Sequence, residues 1–321
     1  MTAPGRDPEP GAEPTPPRPS LYLVDASPYV FRAYFSLPDS IRTPDGAQAN
    51  AVYGFASFLC KLLGDERPTH LAVAFDGSLT SSFRNDFFPA YKAQRALPPA
   101  ELEAQLDACQ EVAAALGAAC FIDDRYEADD LIGTLVARLV DAAADGGGAA
   151  APRAVIVSYD KDLAQLVGPR VTFFDFAKGE RLGPDGVAGK FGVRPEQVAD
   201  LLALRGDAVD NIPGVPGVGA KTAVALLARF RDLDDLYARL DEVASLPVRG
   251  AAGLAARLAE HRDTAYLALR LARVGRDVPQ MAGVALADLA WSGAERAAVD
   301  TLFDRLGFGT IRGRVALRGE G

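Results

Sequence analysis

The sequence predicts an α/β fold: a mostly parallel sheet covered by helices, followed by a helical region. Two observations carry the first half. The runs LYLV (21–24), LAVAF (71–75) and AVIVS (154–158) are continuously apolar, as strands buried on both faces are. Between them Leu102, Leu106, Cys109, Val112 and Leu116 recur at three and four, as do Leu131, Leu135 and Leu139. Strands alternating with amphipathic helices imply a parallel, doubly covered sheet. A third observation carries the second half. Beyond VTFF (171–174), read as one more strand, no strong strand pattern appears.

In chain order, residues 1–20 are Pro-rich with too little apolar surface to fold, so a disordered tail is expected. Residues 21–187 hold the strand–helix alternation. The Gly/Ala-rich stretch 141–153 within it is read as a surface connection. Residues 188–285 are helical, with Leu201, Leu202 and Leu204 before a Pro/Gly loop and Leu226, Leu227 and Phe230 after it. Residues 286–321 form a C-terminal extension, and no internal repeat is found.

With 321 residues, 49% of them hydrophobic, the chain can bury a sizeable core without a disulfide or metal staple. Cys60, Cys109 and Cys120 form no CxxC pair, and an odd, scattered set fits a reducing compartment. No apolar run reaches the roughly 18 residues of a membrane span, and the N terminus lacks a signal peptide's apolar stretch. A soluble, cytoplasmic monomer without a membrane partner is expected. Only His70 and His261 are present, which excludes a His-rich metal site.

The acids are grouped. Asp25 follows LYLV, Asp76 follows LAVAF, and Asp160 and Asp162 follow AVIVSY. Any one of them could be a helix cap or turn residue. Three strands ending alike point instead to one crevice at the carboxyl ends, where parallel α/β sheets bind ligands. Glu127, Asp129 and Asp130 open the next helix, where acids also suit the positive end of the helix dipole. Asp207 and Asp210 sit in the turn RGDAVDNIPG. Nine carboxylates in one cleft would repel one another unless cations neutralise them. Oxygen donors without His or Cys select Mg²⁺ or Mn²⁺, and such clusters suit two-metal hydrolysis of a phosphodiester. The net charge of −9 is the size of this set.

IPGVPGVGAKT (212–222) precedes an apolar helix. It fails the P-loop pattern because Ala220 separates Gly219 from Lys221 and no strand precedes it. A plain turn between helices is one reading. The favoured one is a helical hairpin gripping a nucleic-acid phosphate backbone with little base specificity.

Together these motifs resemble the bacterial 5′→3′ exonuclease and flap endonuclease family, including the 5′-nuclease domain of DNA polymerase I. The likeness runs from about Leu21 through the 230s, weakening to about residue 310. VDASPYVFRAYF, AVYGF, VAFDG, YEADD, YDKDLAQL and GDAVDNIPGVPGVGAKTA carry it, with Arg84 and Tyr91-Lys92-x-x-Arg95 similar to the basic segment entering the family's helical arch. The resemblance implies a PIN-like 5′-3′ exonuclease domain over 21–187 and a helix–three-turn–helix (helix-hairpin-helix) DNA-binding domain over 188–285. It implies a first metal cluster of Asp25, Asp76, Glu127 and Asp129, and a second of Asp130, Asp160, Asp162, Asp207 and Asp210. The implied DNA-binding residues are Arg84, Tyr91, Lys92 and Arg95, with Gly214, Gly217, Gly219, Lys221 and Thr222 in the hairpin. Implied cofactors are two or more Mg²⁺ ions, with Mn²⁺ as substitute and K⁺ at the hairpin. Implied partners are DNA with 5′ flaps, nicks or 5′ ends, and RNA primers on DNA, as replication and repair require.

The family pattern is not matched everywhere. Phe35 stands where a smaller or polar residue is expected, Tyr159 precedes Asp160 and could narrow the cleft, and Ala208-Val209 replace a more polar pair. The chain ends shortly after LGFGTI, so a freestanding nuclease is expected. Phe83, Phe87, Phe88 and Tyr91 could stack on displaced bases or pack into the core. A catalytically silent DNA binder, a PIN-type ribonuclease and a Ser-His-Asp hydrolase are the weaker readings: no acid is missing, the hairpin suits duplex DNA, and neither His has a nucleophile context.

Overall fold

The computed structural model describes residues 20–78, 81–145, 151–248 and 250–319. The expected tail, up to residue 19, and part of the Gly/Ala-rich connection lie outside the described residues. Among the described residues six strands form one sheet: β1 (Ser20–Asp25), β2 (His70–Asp76), β3 (Ala119–Asp123), β4 (Arg153–Val157), β5 (Val171–Asp175) and β6 (Glu180–Leu182). Their order is β3-β2-β1-β4-β5-β6, parallel throughout except for the β5–β6 pair. The chain builds outward from β1 to one edge, then restarts at β4 on the other side. The switch point therefore lies between β1 and β4, where α/β sheets open a crevice.

The continuous apolar runs are explained by two cores, one on each face of the sheet. Leu21, Leu23, Ala72, Ala74, Ala154 and Ile156 join one core, while Tyr22, Val24, Leu71, Val73, Phe75 and Val157 join the other. The second core is covered by α1 (Ala26–Ser36), α2 (Asn50–Glu66) and α3 (Ala100–Ala115). On the first face lies α4 (Ala128–Leu135), which runs through a π-helical stretch (Val136–Asp141) into the short α5 (Ala142–Asp145).

The helical region begins with α6 (Pro184–Phe191) and continues through α7 (Val198–Arg205), α8 (Ala220–Arg229), α9 (Leu233–Ala238), α10 (Ala251–Glu260) and α11 (Arg262–Ala272). It packs on the α4 face and shares that core. Buried Gln197 ties α7 to α8, its amide donating to the Leu227, Phe230 and Arg231 carbonyls at 2.8, 3.2 and 2.9 Å. It thereby satisfies carbonyls that the end of α8 leaves without helical partners. The C-terminal α12 (Arg296–Leu306) and α13 (Gly309–Arg312) return to the opposite face, where Val299, Leu302, Phe303 and Ile311 complete the α2–α3 core. Trp291 pins that return, its indole N–H donating to the Leu116 carbonyl at 2.9 Å. No helix of the described residues is long and apolar enough to cross a membrane.

Candidate active site

Asp25 and Asp76 end adjacent parallel strands, so both carboxylates reach the carboxyl edge of the sheet. Glu127 caps α4 from the next segment, and Asp160 caps the 3-10 turn Lys161–Leu166 after β4. Asp25, Asp76, Glu127, Asp129 and Asp160 line one cleft of about 240 Å³, together with Lys92, Arg95 and Tyr159. Local hydrogen bonds aim the acids. Ser158 Oγ donates to Asp25 at 2.7 Å, while Ser27 Oγ and the Ala128 N–H hold the two oxygens of Asp76 at 2.5 and 2.9 Å. Tyr159 lines the opening, with its hydroxyl donating to the Pro28 carbonyl at 2.5 Å.

The electrostatics of the cleft divide in two. Burial raises Asp25 and Asp129 well above the usual carboxylate range, and neighbouring acids, Asp76 for the one and Asp160 for the other, add to it. Burial and Glu127 raise Asp76. Burial and Asp160 push Asp162 up to about 7. Glu127, and at the rim Asp207 beside Lys161, move the other way. Burial alone would raise Glu127, but Lys92 at 2.5 Å and Arg84 outweigh that and bring it down to about 2. Basic side chains also pair with the acids at the rim. Lys161 lies 2.6 Å from Asp207 and 3.7 Å from Asp162, and Arg95 pairs with Asp210 at 2.5 Å.

The donor set fits a hard divalent cation. It is all carboxylate oxygen, it carries charge that the protein's own cations leave partly uncompensated, and the buried Asp162 Oδ1 has no hydrogen-bond partner. Among the described residues no three His, Cys, Asp or Glu side chains stand close enough together to form a coordination shell as they are. Lys92 and Lys161 instead occupy positions between the acids.

Eight of the nine predicted acids lie in or around this cleft. Asp160 joins the first cluster rather than standing with a second, while Asp162, Asp207 and Asp210 sit at the rim around Lys161, Lys92 and Arg95. Asp130 is a correction. It is 0% exposed and bound by Arg84 in a bidentate pair of 2.8 Å contacts, turned into the core. Arg84 is corrected with it. It is 3% exposed and turned into the core with that pair rather than toward the cleft opening. Tyr91 is 4% exposed in the core, its hydroxyl toward Glu127 and Asp210, so it offers no stacking face. Phe87 and Phe88 also pack against the core, and Arg270 lies 3.6 Å over the Phe87 ring. Between Asp86 and Ala100 the basic segment runs in turns rather than as a helix.

Ser27, Ser158 and Lys161 were missed as site residues. Their signal was available, since each lies within two residues of a strand-end aspartate. In the hairpin, Gly214 serves packing: a Cβ there would come 2.5 Å from the Arg205 carbonyl carbon and the Gly206 nitrogen. Gly217, Gly219 and Lys221 are exposed at the start of α8, whose N-cap Gly219 provides no side-chain cap. Phe35 lies 68% exposed on α1, and Val209 is exposed in the 207–211 turn.

Fold and site together define an α/β domain with an acidic, cation-seeking cleft and an appended helical hairpin module. Residues 20–192 match the 5′-3′ exonuclease N-terminal resolvase-like domain, and residues 193–297 match the 5′-3′ exonuclease C-terminal SAM fold. The chain belongs to the 5′-3′ exonuclease family. It is 39% identical over 292 residues to DNA polymerase I of Bacillus caldotenax, covering 90% of this chain and 31% of that protein. It is 44% identical over 260 residues to DNA polymerase I of Pseudomonas aeruginosa, covering 80% and 27%. The chain thus spans about a third or less of these relatives. A structure of T5 5′-exonuclease with zinc bound shares the fold at a TM-score of 0.62 and 21% identity, over 91% of this chain and 99% of that one. The catalytic core of Rad2 in complex with DNA substrate matches at 0.58 and 15% identity, over 93% and 91%.

Proposed function

We propose that this chain hydrolyses DNA phosphodiesters at 5′ ends and 5′ flaps, using divalent ions held by its acidic cleft. The observation that carries this is the convergence of Asp25, Asp76, Glu127, Asp129 and Asp160 on one opening at the switch point. Those five would hold the metals, with Asp162, Asp207 and Asp210 at the rim. Hard oxygen donors favour Mg²⁺, with Mn²⁺ as substitute. When bound, such ions supply Lewis-acid activation at the scissile phosphate. Zinc in the T5 relative and DNA in the Rad2 complex support the reading.

The chain's own residues do the rest. Ser158 and Ser27 orient Asp25 and Asp76, so these carboxylates present fixed lone pairs to the cleft. Lys92 and Arg95, at the same opening, draw in the phosphate and balance charge around it. Tyr159 lines the same opening, where its ring can meet the incoming strand. The start of α8, with exposed Gly217, Gly219 and Lys221 and half-buried Thr222, takes a duplex phosphate, with K⁺ shared at that contact. Nicked DNA and RNA primers on DNA are further substrates, the protein acts as a monomer, and primer removal and repair are the processes that need this activity. The test is digestion of a 5′-labelled flap and a 3′-labelled blunt duplex with and without Mg²⁺. Mg²⁺-dependent release of short products from the 5′ end is expected. Cleavage from the 3′ end, or equal cleavage in excess chelator, would overturn the proposal.

A further inference from the structure

We infer that Arg84 and Asp130 form a buried strut that positions Glu127 in the cleft and couples it to the helical region, touching neither DNA nor metal. The inference rests on the proposed nuclease only for its kinetic arm. Successive residues on a helix point about 100° apart, so adjacent Asp129 and Asp130 cannot face the same way. Asp129 lines the cleft and Asp130 turns inward. An ionised carboxylate has about four lone-pair sites. All are engaged at Asp130: Arg84 contacts both oxygens at 2.8 Å, the Gly275 N–H donates at 2.6 Å and the Glu127 N–H at 3.1 Å. Nothing remains to offer a metal.

The guanidinium is equally committed. Besides Asp130, its Nε donates to the Leu271 carbonyl at 3.0 Å and a terminal nitrogen donates to the Arg273 carbonyl at 2.9 Å. Three segments therefore meet at one ion pair: the 3-10 turn Phe83–Asp86, the start of α4 and the chain leaving α11. The fit at α4 is close, since a Cβ on Gly133 would lie 2.4 Å from the Gly275 carbonyl oxygen. Glu127 is held through this hub twice, by its backbone N–H on Asp130 and by its carboxylate 3.8 Å from Arg84. Removing one partner leaves the other's charge buried and unpaired, whereas an apolar pair of similar volume does not.

The experiment compares Arg84→Met, Asp130→Leu and the double variant, with Arg84→Lys and Asp130→Asn as milder forms in case the first two do not fold. In urea unfolding of the metal-free protein, each single change should lower the midpoint and the double should recover part of the loss. Additive losses would overturn the strut. Manganese binding without DNA, followed by calorimetry, should weaken by the same factor in Arg84→Lys and Asp130→Asn. A loss at least tenfold larger for Asp130→Asn would make it a metal ligand instead. Flap binding in calcium should keep its salt dependence in Arg84→Met; a slope reduced by about one would mean a phosphate contact. On flap substrate, kcat should fall equally in Arg84→Lys and Asp130→Asn, by tenfold or more, with KM within threefold. Unequal kcat losses would count against a shared positioning role. If the unchanged protein cuts no flap, the nuclease proposal fails, while the unfolding and manganese arms still decide the strut.

Discussion

Lys92 and Asp210 are joined twice: the Lys92 N–H donates to the Asp210 carbonyl at 3.0 Å, and the Lys92 ammonium lies 3.8 Å from the Asp210 carboxylate. Lys92 and the neighbouring Asn211 both adopt left-handed backbone, at φ of 56° or just below. Such residues cost of order 1 kcal/mol each and persist where the surroundings over-determine them. Here Asn211 donates to the Ala90 carbonyl at 2.6 Å, and Gln94 donates to the Ala208 and Val209 carbonyls at 3.0 Å. The basic segment and the acidic turn are thus locked as one rim of the cleft.

Lys92 is the cation closest to Glu127, and its removal should cost charge stabilisation at the phosphate as well as some stability of the fold. Lys92→Ala is expected to lower single-turnover cleavage by about 10²-fold, the usual loss of one well-placed electrostatic donor. Flap binding without metal should weaken as well, because the cleft becomes more negative. Cleavage within threefold of the unchanged protein would leave Lys92 as a counter-charge alone.

Removing a cleft acid should impair metal use. Asp76→Ala or Asp129→Ala is expected to lower turnover by roughly 10²-fold or more, and excess chelator should abolish cleavage by the unchanged protein. The check is a Mg²⁺ titration of flap cleavage. Full activity in chelator would remove the metals from the mechanism.

The cleft should also give the metal-free protein an unusual pH dependence. A carboxyl raised on folding binds its proton more tightly in the folded state, so stability falls as pH rises from its unfolded to its folded value. Asp162, pushed to about 7, places this window between about pH 4 and neutrality, and the raised Asp25 and Asp129 act in the same direction. Glu127, lowered to about 2, stabilises above its unfolded value and loses that contribution only in stronger acid. In chelator the protein should therefore be more stable near about pH 5.5 than near about pH 7.5. Mg²⁺ should raise stability mainly at the higher pH, where the acids are ionised. Urea midpoints under the four conditions decide this. Equal midpoints in chelator would mean that Lys92 and Lys161 already balance the cleft.

Much of this was legible in the sequence because it follows local rules. The apolar runs at β1, β2, β4 and β5 and the aspartates at their ends are short-range signals. β3 was not legible, because as an edge strand it exposes Cys120 and Ile122 and lacks a continuous buried run. β6 has three residues, too few for a pattern. Arg84 and Asp130 misled for a different reason. They lie 46 positions apart, and nothing local distinguishes an acid facing the cleft from its neighbour facing the core. Tyr91 reads as a stacking residue beside Lys92 until the fold turns it inward.

The hairpin should contribute grip without chemistry. Lys221 is exposed at the start of α8. Lys221→Ala is expected to weaken all duplex sequences about equally and to reduce the salt slope of binding by about one, as loss of a phosphate contact does. Binding isotherms at several salt concentrations measure this. A changed base preference with an unaltered slope would point to base contacts instead.

Asp210 separates grip from chemistry, because it sits between the hairpin and the cleft. Its backbone is fixed independently of its carboxylate, through the Lys92 N–H, and the bridge between Asp207 and Ile212 closes the turn around it. Asp210→Asn should therefore keep the turn while loosening the carboxylate's hold on Arg95 and Lys92. Two cations then face the incoming phosphate with one fewer competing charge, which favours binding in the absence of chemistry. Cleavage should suffer, because one rim acid near the metals is lost. The measurement is flap binding in calcium and flap cleavage in magnesium. Binding unchanged or up to about threefold tighter (~0.65 kcal/mol), alongside a cleavage loss of tenfold or more, supports the assignment to the cleft. Binding lost in step with cleavage would mean that the carboxylate shapes the hairpin, since only a disturbed turn would weaken a grip that gains positive charge.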